Sequence, residues 1–178
     1  MLPETIPRLE SALVTLRGFE LSDERLVASV ADDPLIPLIT TVPTTGDAGE
    51  VRAYIDRQHD RLASGRGYSF AVADPATDDA VGQIGLWTSD IAVGRATTGY
   101  WIARQHRRRG YGGAALTALT EWALTLPEVA RLQLHVEPWN EASWRIAEEC
   151  GYQREGLLRS WEQVGEERKD MYVYSIVP

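Results

Sequence analysis

Residues 106 to 113 read His106-Arg107-Arg108-Arg109-Gly110-Tyr111-Gly112-Gly113, three arginines running into glycines at 110, 112 and 113. Basic side chains beside a backbone free of bulk are suited to holding an anion. Upstream, Thr98-Gly99-Tyr100-Trp101-Ile102-Ala103 has the aromatic and branched residues of a strand. Downstream, Ala115, Leu116, Leu119, Trp122, Ala123 and Leu126 recur every three or four positions, the buried stripe of a helix. A strand turning into a helix through glycines leaves the helix's first amides pointing outward without internal partners. Those amides, with the positive end of the helix dipole, suit a diphosphate. The competing reading is a solvated basic turn; the strand-bend-helix context favours the anion cradle.

A second candidate segment is Arg131-Leu132-Gln133-Leu134-His135-Val136-Glu137, where polar and apolar residues alternate. Period two places His135 and Glu137 on one face of a strand. If Leu132, Leu134 and Val136 pack on the long helix, His135 and Glu137 face away from it. Histidine titrates near pH 6.5 and suits a general base at neutrality; alternatively, both residues only hydrogen-bond within the sheet. Asn140 and Ser143 follow at the start of another helical stretch, and helix capping would account for both.

The elements that must position these groups follow from local pattern. A strand is expected at 13–17, a short helix from Ser22-Asp23-Glu24 to before Pro34, loop from 34 to 47, and an amphipathic helix over 48–63. Strands at 68–73 and 80–87 flank the turn formers Asp74-Pro75-Ala76-Thr77-Asp78-Asp79 and predict a hairpin. A turn at 90–95 leads to the strand at 97–103. After the cradle come a helix at 110–125, a strand at 131–137, a helix at 141–150 and two strands around a turn near Gly165.

Composition narrows the class. The 178 residues suit one domain, 1–178, and 44% hydrophobic content supports a substantial core. No apolar run reaches the ~20 residues of a membrane span, and Met1-Leu2-Pro3-Glu4 does not open a signal peptide. A cytoplasmic protein is expected. The single cysteine, Cys150, has apolar neighbours and reads as a packed residue. A net charge of −8 would repel nucleic acid and attract a cationic amine, leaving the arginine loop as a local inversion.

With these motifs in order, the chain resembles the GNAT superfamily of N-acyltransferases, and within it the RimJ/RimL type. That superfamily's acyl-CoA signature is met by Arg107, Gly110 and Gly112. Gly99-Tyr100-Trp101 before the loop, Asn140-Glu141-Ala142-Ser143 and Gly151-Tyr152 after it, and Glu155-Gly156 and Asp170 ahead of Tyr174-Ser175 extend the likeness over residues 10 to 177. It implies a single-domain α/β (α+β) fold, a mixed, mostly antiparallel sheet of about seven strands with helices on both faces. The fourth and fifth strands, 97–103 and 131–137, would splay into a V.

The resemblance also implies the substrate, acetyl-CoA or another acyl-CoA, and no metal. Pantetheine would enter the V and pair with backbone at Trp101, Ile102 and Ala103, while amides of Arg107, Arg108, Arg109, Gly110, Tyr111, Gly112 and Gly113 hold the diphosphate. Asn140 would fix pantetheine or the local backbone, and Ser143 would protonate the leaving thiolate. Transfer would go by direct attack of a primary amine in a ternary complex. The acidic residue that often precedes Gly-Tyr-Trp is replaced by Thr97-Thr98, which leaves His135, Glu137 or a water as base. An α-amine of pKa about 8 needs less help than a lysine near 10.4, favouring a protein N-terminus or a small-molecule amine. The first two helices, the 80–90 strand and the last hairpin should enclose the acceptor, with Tyr54, Trp87 and Trp161 as walls and Asp33, Asp170 and glutamates near 166 to attract a cation. Relatives of this type often pair, so a homodimer is in view. Two other readings compete: a non-catalytic acyl-CoA sensor, and a nicotinamide enzyme using Gly110-x-Gly112-x-x-Ala115 as a dinucleotide fingerprint.

Overall fold

In the computed structural model, which describes all 178 residues, eight strands make one sheet in the order β1-β2-β3-β4-β5-β6-β8-β7. They are β1 (Leu9–Glu10), β2 (Thr15–Arg17), β3 (Gly67–Ala73), β4 (Ala80–Trp87), β5 (Arg95–Ile102), β6 (Arg131–Val136), β7 (Gln153–Val164) and β8 (Glu167–Ile176). The strand beyond the seven expected is β1, a two-residue edge piece paired to β2. All pairings are antiparallel except β5 with β6. That exception follows from the helical crossover between them, which returns the chain in the same direction.

The crossover is α4 (Tyr111–Ala123). Its Ala115, Leu116, Leu119 and Ala123 share one core with Leu132, Leu134 and Val136 of β6 and with Ile84 and Leu86 of β4. Together with α5 (Glu141–Glu149) it covers one face of the sheet. Fully burying a leucine such as Leu116 or Leu119 contributes roughly 1.5–3 kcal/mol, so this stripe is the main reason the crossover docks.

The other face carries α1 (Glu24–Ser29), α2 (Ile36–Ile39) and α3 (Ala48–Ala63). The segment expected to be loop at 34–47 thus contains one helical turn, started by Asp33, whose carboxylate accepts the Leu35 and Ile36 amides at 3.0 Å. Asp47 starts α3 in the same way, accepting from Gly49 and Glu50 at 2.9 and 3.0 Å. A second core forms here from Val27, Val30, Val51, Tyr54, Ile55, Ala71 and Trp101.

A buried ion pair ties α1 to the sheet. Arg17 on β2 donates to both carboxylate oxygens of Asp23, at 2.8 and 2.9 Å, with the two side chains 5% and 2% exposed. Asp23 also accepts the Glu20 amide at 2.8 Å, and Arg17 donates to the Asp78 carbonyl at 2.7 Å. Removing one charge from so buried a pair leaves the other uncompensated. Asp23→Ala is therefore expected to cost about 3 kcal/mol, lowering the Tm by roughly 6–12 °C in a chain of this size. A loss under about 1 kcal/mol would place the pair with ordinary surface bridges.

Candidate active site

The sheet is incomplete at its centre. Strands β5 and β6 pair only from Arg95↔Arg131 to Thr98↔Leu134. Beyond that, β5 remains paired to β4 as far as Ile102, and β6 to β8 as far as Val136. The two strands part because each is held by its other neighbour. The gap opens into a cleft of about 550 Å³ lined by Thr97 to Trp101, Leu134 to Glu137, Asn140 and Ser143, with α2, Arg61, Gln83, Trp87 and the β7–β8 hairpin on its far side. A volume of this order suits a small ligand.

The Ala103 amide donates to the Val81 carbonyl, so strand alternation turns the backbone groups of Trp101 and Ala103 toward β4 and those of Tyr100 and Ile102 toward the gap. Of the three residues expected to pair with pantetheine, only Ile102 faces that way, and its carbonyl already accepts Arg107 Nε at 2.9 Å. Tyr100, not among those three, also turns its backbone groups toward the gap. The Trp101 side chain is buried on the opposite face, its indole N–H donating to Gln83 at 2.8 Å.

At the mouth of the gap lies the arginine loop. Arg108 and Gly110 both have positive φ, 63° and 82°, and Gly110 is the residue before α4. The amides of Arg108, Arg109, Gly110, Tyr111, Gly112 and Gly113 donate to no protein acceptor. Such a run beside a helix N-terminus fits an anion. Arg108 and Arg109 are exposed above it, whereas Arg107 turns away to pair with the almost fully buried Asp33 at 2.8 Å. Burial would raise the Asp33 pKa, but the Ile36 and Leu35 amides and Arg107 outweigh it and hold the carboxyl below its usual range. Asp33 is therefore spent within the fold. Asp170 is likewise occupied, accepting the Ser160 amide at 2.7 Å.

The glycines serve different ends. Gly110 is required by its left-handed backbone; a Cβ there would meet only Leu13, at 3.5 Å. Gly112 permits packing, since a Cβ would lie 3.1 Å from the Tyr100 ring and 3.5 Å from Ile146 of α5, and one at Gly113 would touch Ile146 at 4.0 Å. The Tyr111 hydroxyl donates to Asp74 at 2.5 Å.

Asn140 caps α5 by accepting the Ser143 amide at 3.2 Å, so the capping reading holds, and both residues also line the cleft. Ser143 Oγ lies 3.3 Å from the Tyr100 hydroxyl. The sequence pattern does not pair these two residues, which lie 43 positions apart. Burial pushes the Tyr100 pKa up to about 12, against a smaller opposing pull from the Ser143 bond. Tyr100 therefore keeps its proton at neutral pH. The Thr98 hydroxyl, at the apex of the V, is buried without a partner.

Leu132, Leu134 and Val136 do pack with α4, and His135 lines the cleft. Burial lowers its pKa below 6.5, so the ring is neutral at pH 7. Glu137 lies just past the strand end and accepts the Trp139 indole N–H at 2.7 Å. Of the expected acceptor walls, Trp87 lines the cleft. Tyr54 does not: it is fully buried beneath, its hydroxyl donating to Gln83 at 2.8 Å. Trp161 is half-exposed outside the lining and stands edge-on to His135, ring centroids 5.6 Å apart. Cys150 is half-buried at the end of α5 with Sγ 3.3 Å from Thr117 Oγ1. The dinucleotide reading fails on topology, since the glycine loop follows antiparallel strands in place of the alternating parallel units of that fold.

The profile of acetyltransferase (GNAT) domains matches residues 14–153. Among curated proteins, the uncharacterised N-acetyltransferase p20 of Bacillus licheniformis is 28% identical over 164 residues, covering 92% of both chains. Among solved structures, a GNAT-family acetyltransferase from Bacillus anthracis superposes with a TM-score of 0.81 at 20% identity, covering 96% of this chain and 98% of its own. Mycobacterium smegmatis RimJ, solved with a CoA-disulfide, superposes with a TM-score of 0.80 at 22% identity over 96% of this chain and 84% of its own.

A Cβ-branched residue at Gly110 would have to leave the left-handed region and rotate the adjoining amides. Gly110→Val is expected to weaken coenzyme A binding about tenfold or more, the equivalent of the ~1–2 kcal/mol that a left-handed residue costs. Calorimetric titration of the folded variant reads this, and unchanged affinity would mean the diphosphate is held elsewhere.

Proposed function

The chain belongs to the GNAT acetyltransferases, acetyl-CoA-dependent N-acetyltransferases, and on that premise we propose that it acetylates a primary amine by direct attack while both substrates occupy the cleft. The observation that supports this most is the alignment of two features on one path: the unpartnered amides of residues 108–113 and the gap where β5 leaves β6. An extended chain anchored by its phosphates on the first would place its far end in the second. Acetyl-CoA supplies an activated thioester and leaves as a thiol.

The residues divide the remaining work. The Tyr100 amide and the Thr98 hydroxyl are donors available to a carbonyl oxygen gaining charge at the apex. Ser143, positioned by the Tyr100 hydroxyl, gives a proton to the departing sulfur and recovers one from solvent water, while Tyr100 stays protonated throughout. His135, uncharged and with no hydrogen-bond partner in the protein, receives the amine's proton directly or through water; Glu137 on the same wall adds negative charge that favours an incoming ammonium. The acceptor, an N-terminus or a small-molecule amine, enters from the Trp87 side. The whole chain, 1–178, works as one unit.

Two finer points belong to the same proposal. The outer edge of β7 has no strand partner and exposes Leu157 and Trp161, a surface on which a second copy would protect an otherwise open edge; sedimentation equilibrium should give twice the chain mass, and a monomer at micromolar concentration would refute it. A cytoplasmic location, with access to acetyl-CoA, is part of the same proposal; no helix is long and apolar enough to cross a membrane.

Continuous thiol release from acetyl-CoA across an amine library tests the activity, and cofactor binding with no turnover on any amine would favour a sensor. Ser143→Ala should lower kcat by about 100-fold, within the usual range for a lost proton donor, with little change in acetyl-CoA affinity. Tyr100→Phe should show a smaller loss of the same kind. The acid limb of kcat/KM should fall below pH 6.5, where His135 becomes charged, and disappear in His135→Gln. Unchanged kcat in Ser143→Ala removes it from the mechanism.

A further inference from the structure

Besides Tyr100, four ionisable side chains line the cleft, and the charged ones are divided by sign. His135, Glu137 and Glu162 lie on the β6–β7 side; Arg61, from α3, stands on the other. Neither glutamate makes a salt bridge: Lys169, in register with Glu162, pairs with Glu167, although its charge also acts on Glu137. Burial, and then the charge of Glu137, raises the Glu162 pKa.

Arg61 is held firmly yet left without a counter-ion. Its guanidinium lies over the Trp87 ring, 4.4 Å from the centroid. The ring in turn rests on Gly85, where a Cβ would come within 2.2 Å of it. Arg61 Nε donates to Gln58 Oε1 at 3.1 Å and Nη2 reaches Thr41 Oγ1 at 3.4 Å. Gln58 is itself fixed in a buried network, donating to the Tyr54 carbonyl and accepting from Ser69 and Gln83. The charges around Arg61 include Arg57 and Arg66, and no carboxylate. Burial, ahead of repulsion by those arginines, lowers its pKa. None of the chain's 26 acidic residues forms a salt bridge with it. Holding Thr41 and covering Trp87 does not require a charge; a planar fork with free N–H donors in a cleft matches a carboxylate or phosphoryl group.

From this arrangement we infer that the acceptor is an amine carrying its own anionic group, carboxylate or phosphoryl, which Arg61 binds on its Trp87 platform while the amine end faces Glu137, Glu162 and His135. The inference rests on the acetyltransferase reading above and narrows its acceptor class. A dipolar molecule would satisfy both walls at once, whereas a polyamine would leave Arg61 unpaired and repelled.

The test uses the full-length protein with saturating acetyl-CoA and matched amines with and without an anionic group. β-Alanine and 4-aminobutyrate are compared with their amides, 2-aminoethyl phosphate with ethanolamine, and the dipeptide amide Ala-Asp with Ala-Asn. These arms separate a small amino acid, a phosphorylated amine and an acidic peptide as the source of the anion. In at least one pair the anionic member should be favoured in kcat/KM by about 10-fold or more, as for a lost charge-assisted hydrogen bond. The difference should lie mainly in KM. Arg61→Gln should collapse that ratio toward one and Arg61→Lys should retain part of it. The ratio is decisive because general damage lowers both members equally and amine basicity is common to both enzymes.

A ratio near one in every pair with the natural protein, or a preference that survives Arg61→Gln, overturns the inference while leaving acetyl transfer intact. If no amine releases thiol, the acetyl-CoA-saturated protein is titrated calorimetrically with the same pairs. Heat from the anionic members alone, lost in Arg61→Gln, supports the site; no heat from them overturns it. Failure to bind acetyl-CoA would instead strike at the acetyltransferase reading itself.

Discussion

Four residue pairs of parallel ladder, ending at Thr98 and Leu134, determine everything that follows in this protein. Beyond them β5 keeps its antiparallel partner β4 and β6 keeps β8, so neither strand can follow the other. The backbone edge of Tyr100 and Ile102 is then left facing a gap. Unmade backbone hydrogen bonds are expensive in a protein interior, and the fold accepts the cost only by opening the gap to solvent and to an extended ligand. The divergence also makes a passage from one face of the sheet to the other. The α4–α5 face contributes the amide cradle, Tyr100 and Ser143, and the α1–α3 face contributes Gln83, Trp87 and Arg61.

Charge is distributed with the same economy. An acidic chain concentrates basic groups at two places, the loop of Arg108 and Arg109 above free amides and the Arg61 wall of the cleft. Other arginines are neutralised or committed within the fold: Arg107 by Asp33 and the Ile102 carbonyl, Arg17 by Asp23. An arginine's meaning therefore depends on whether its fork is already filled. The buried glutamine pair Gln58 and Gln83 carries this logic into the core, since the two collect donors from Tyr54, Ser69, Trp101 and Arg61 and so fix the floor beneath the cleft. A network with each of these partners satisfied rigidifies its surroundings; a gap in it would be costly.

The chain's local chemistry was enough to place its elements. The α3 boundaries, the β3–β4 hairpin, the glycine-marked start of α4 and the alternation of β6 were all legible, because periodicity, capping and turn residues act over a few positions. The strand-bend-helix cradle belongs to the same class, and the free amides at 108–113 are a direct consequence of it. The short β1 and the single turn α2 were not legible, being too brief to carry a periodic signal.

What only tertiary structure decided are relations between distant residues. Tyr100 meets Ser143 across 43 positions, and Arg61 meets Trp87 through a ring that lies on Gly85. Tyr54 was expected as a wall of the acceptor pocket, but it lies buried beneath the cleft with its hydroxyl on the Gln83 carbonyl oxygen. Arg107 matched the loop's basic pattern, yet Asp33, 74 positions earlier, removed it from the cradle. No window of sequence contains both members of such pairs, and each outcome depends on which fork, hydroxyl or carboxylate the closed sheet brings within hydrogen-bond reach.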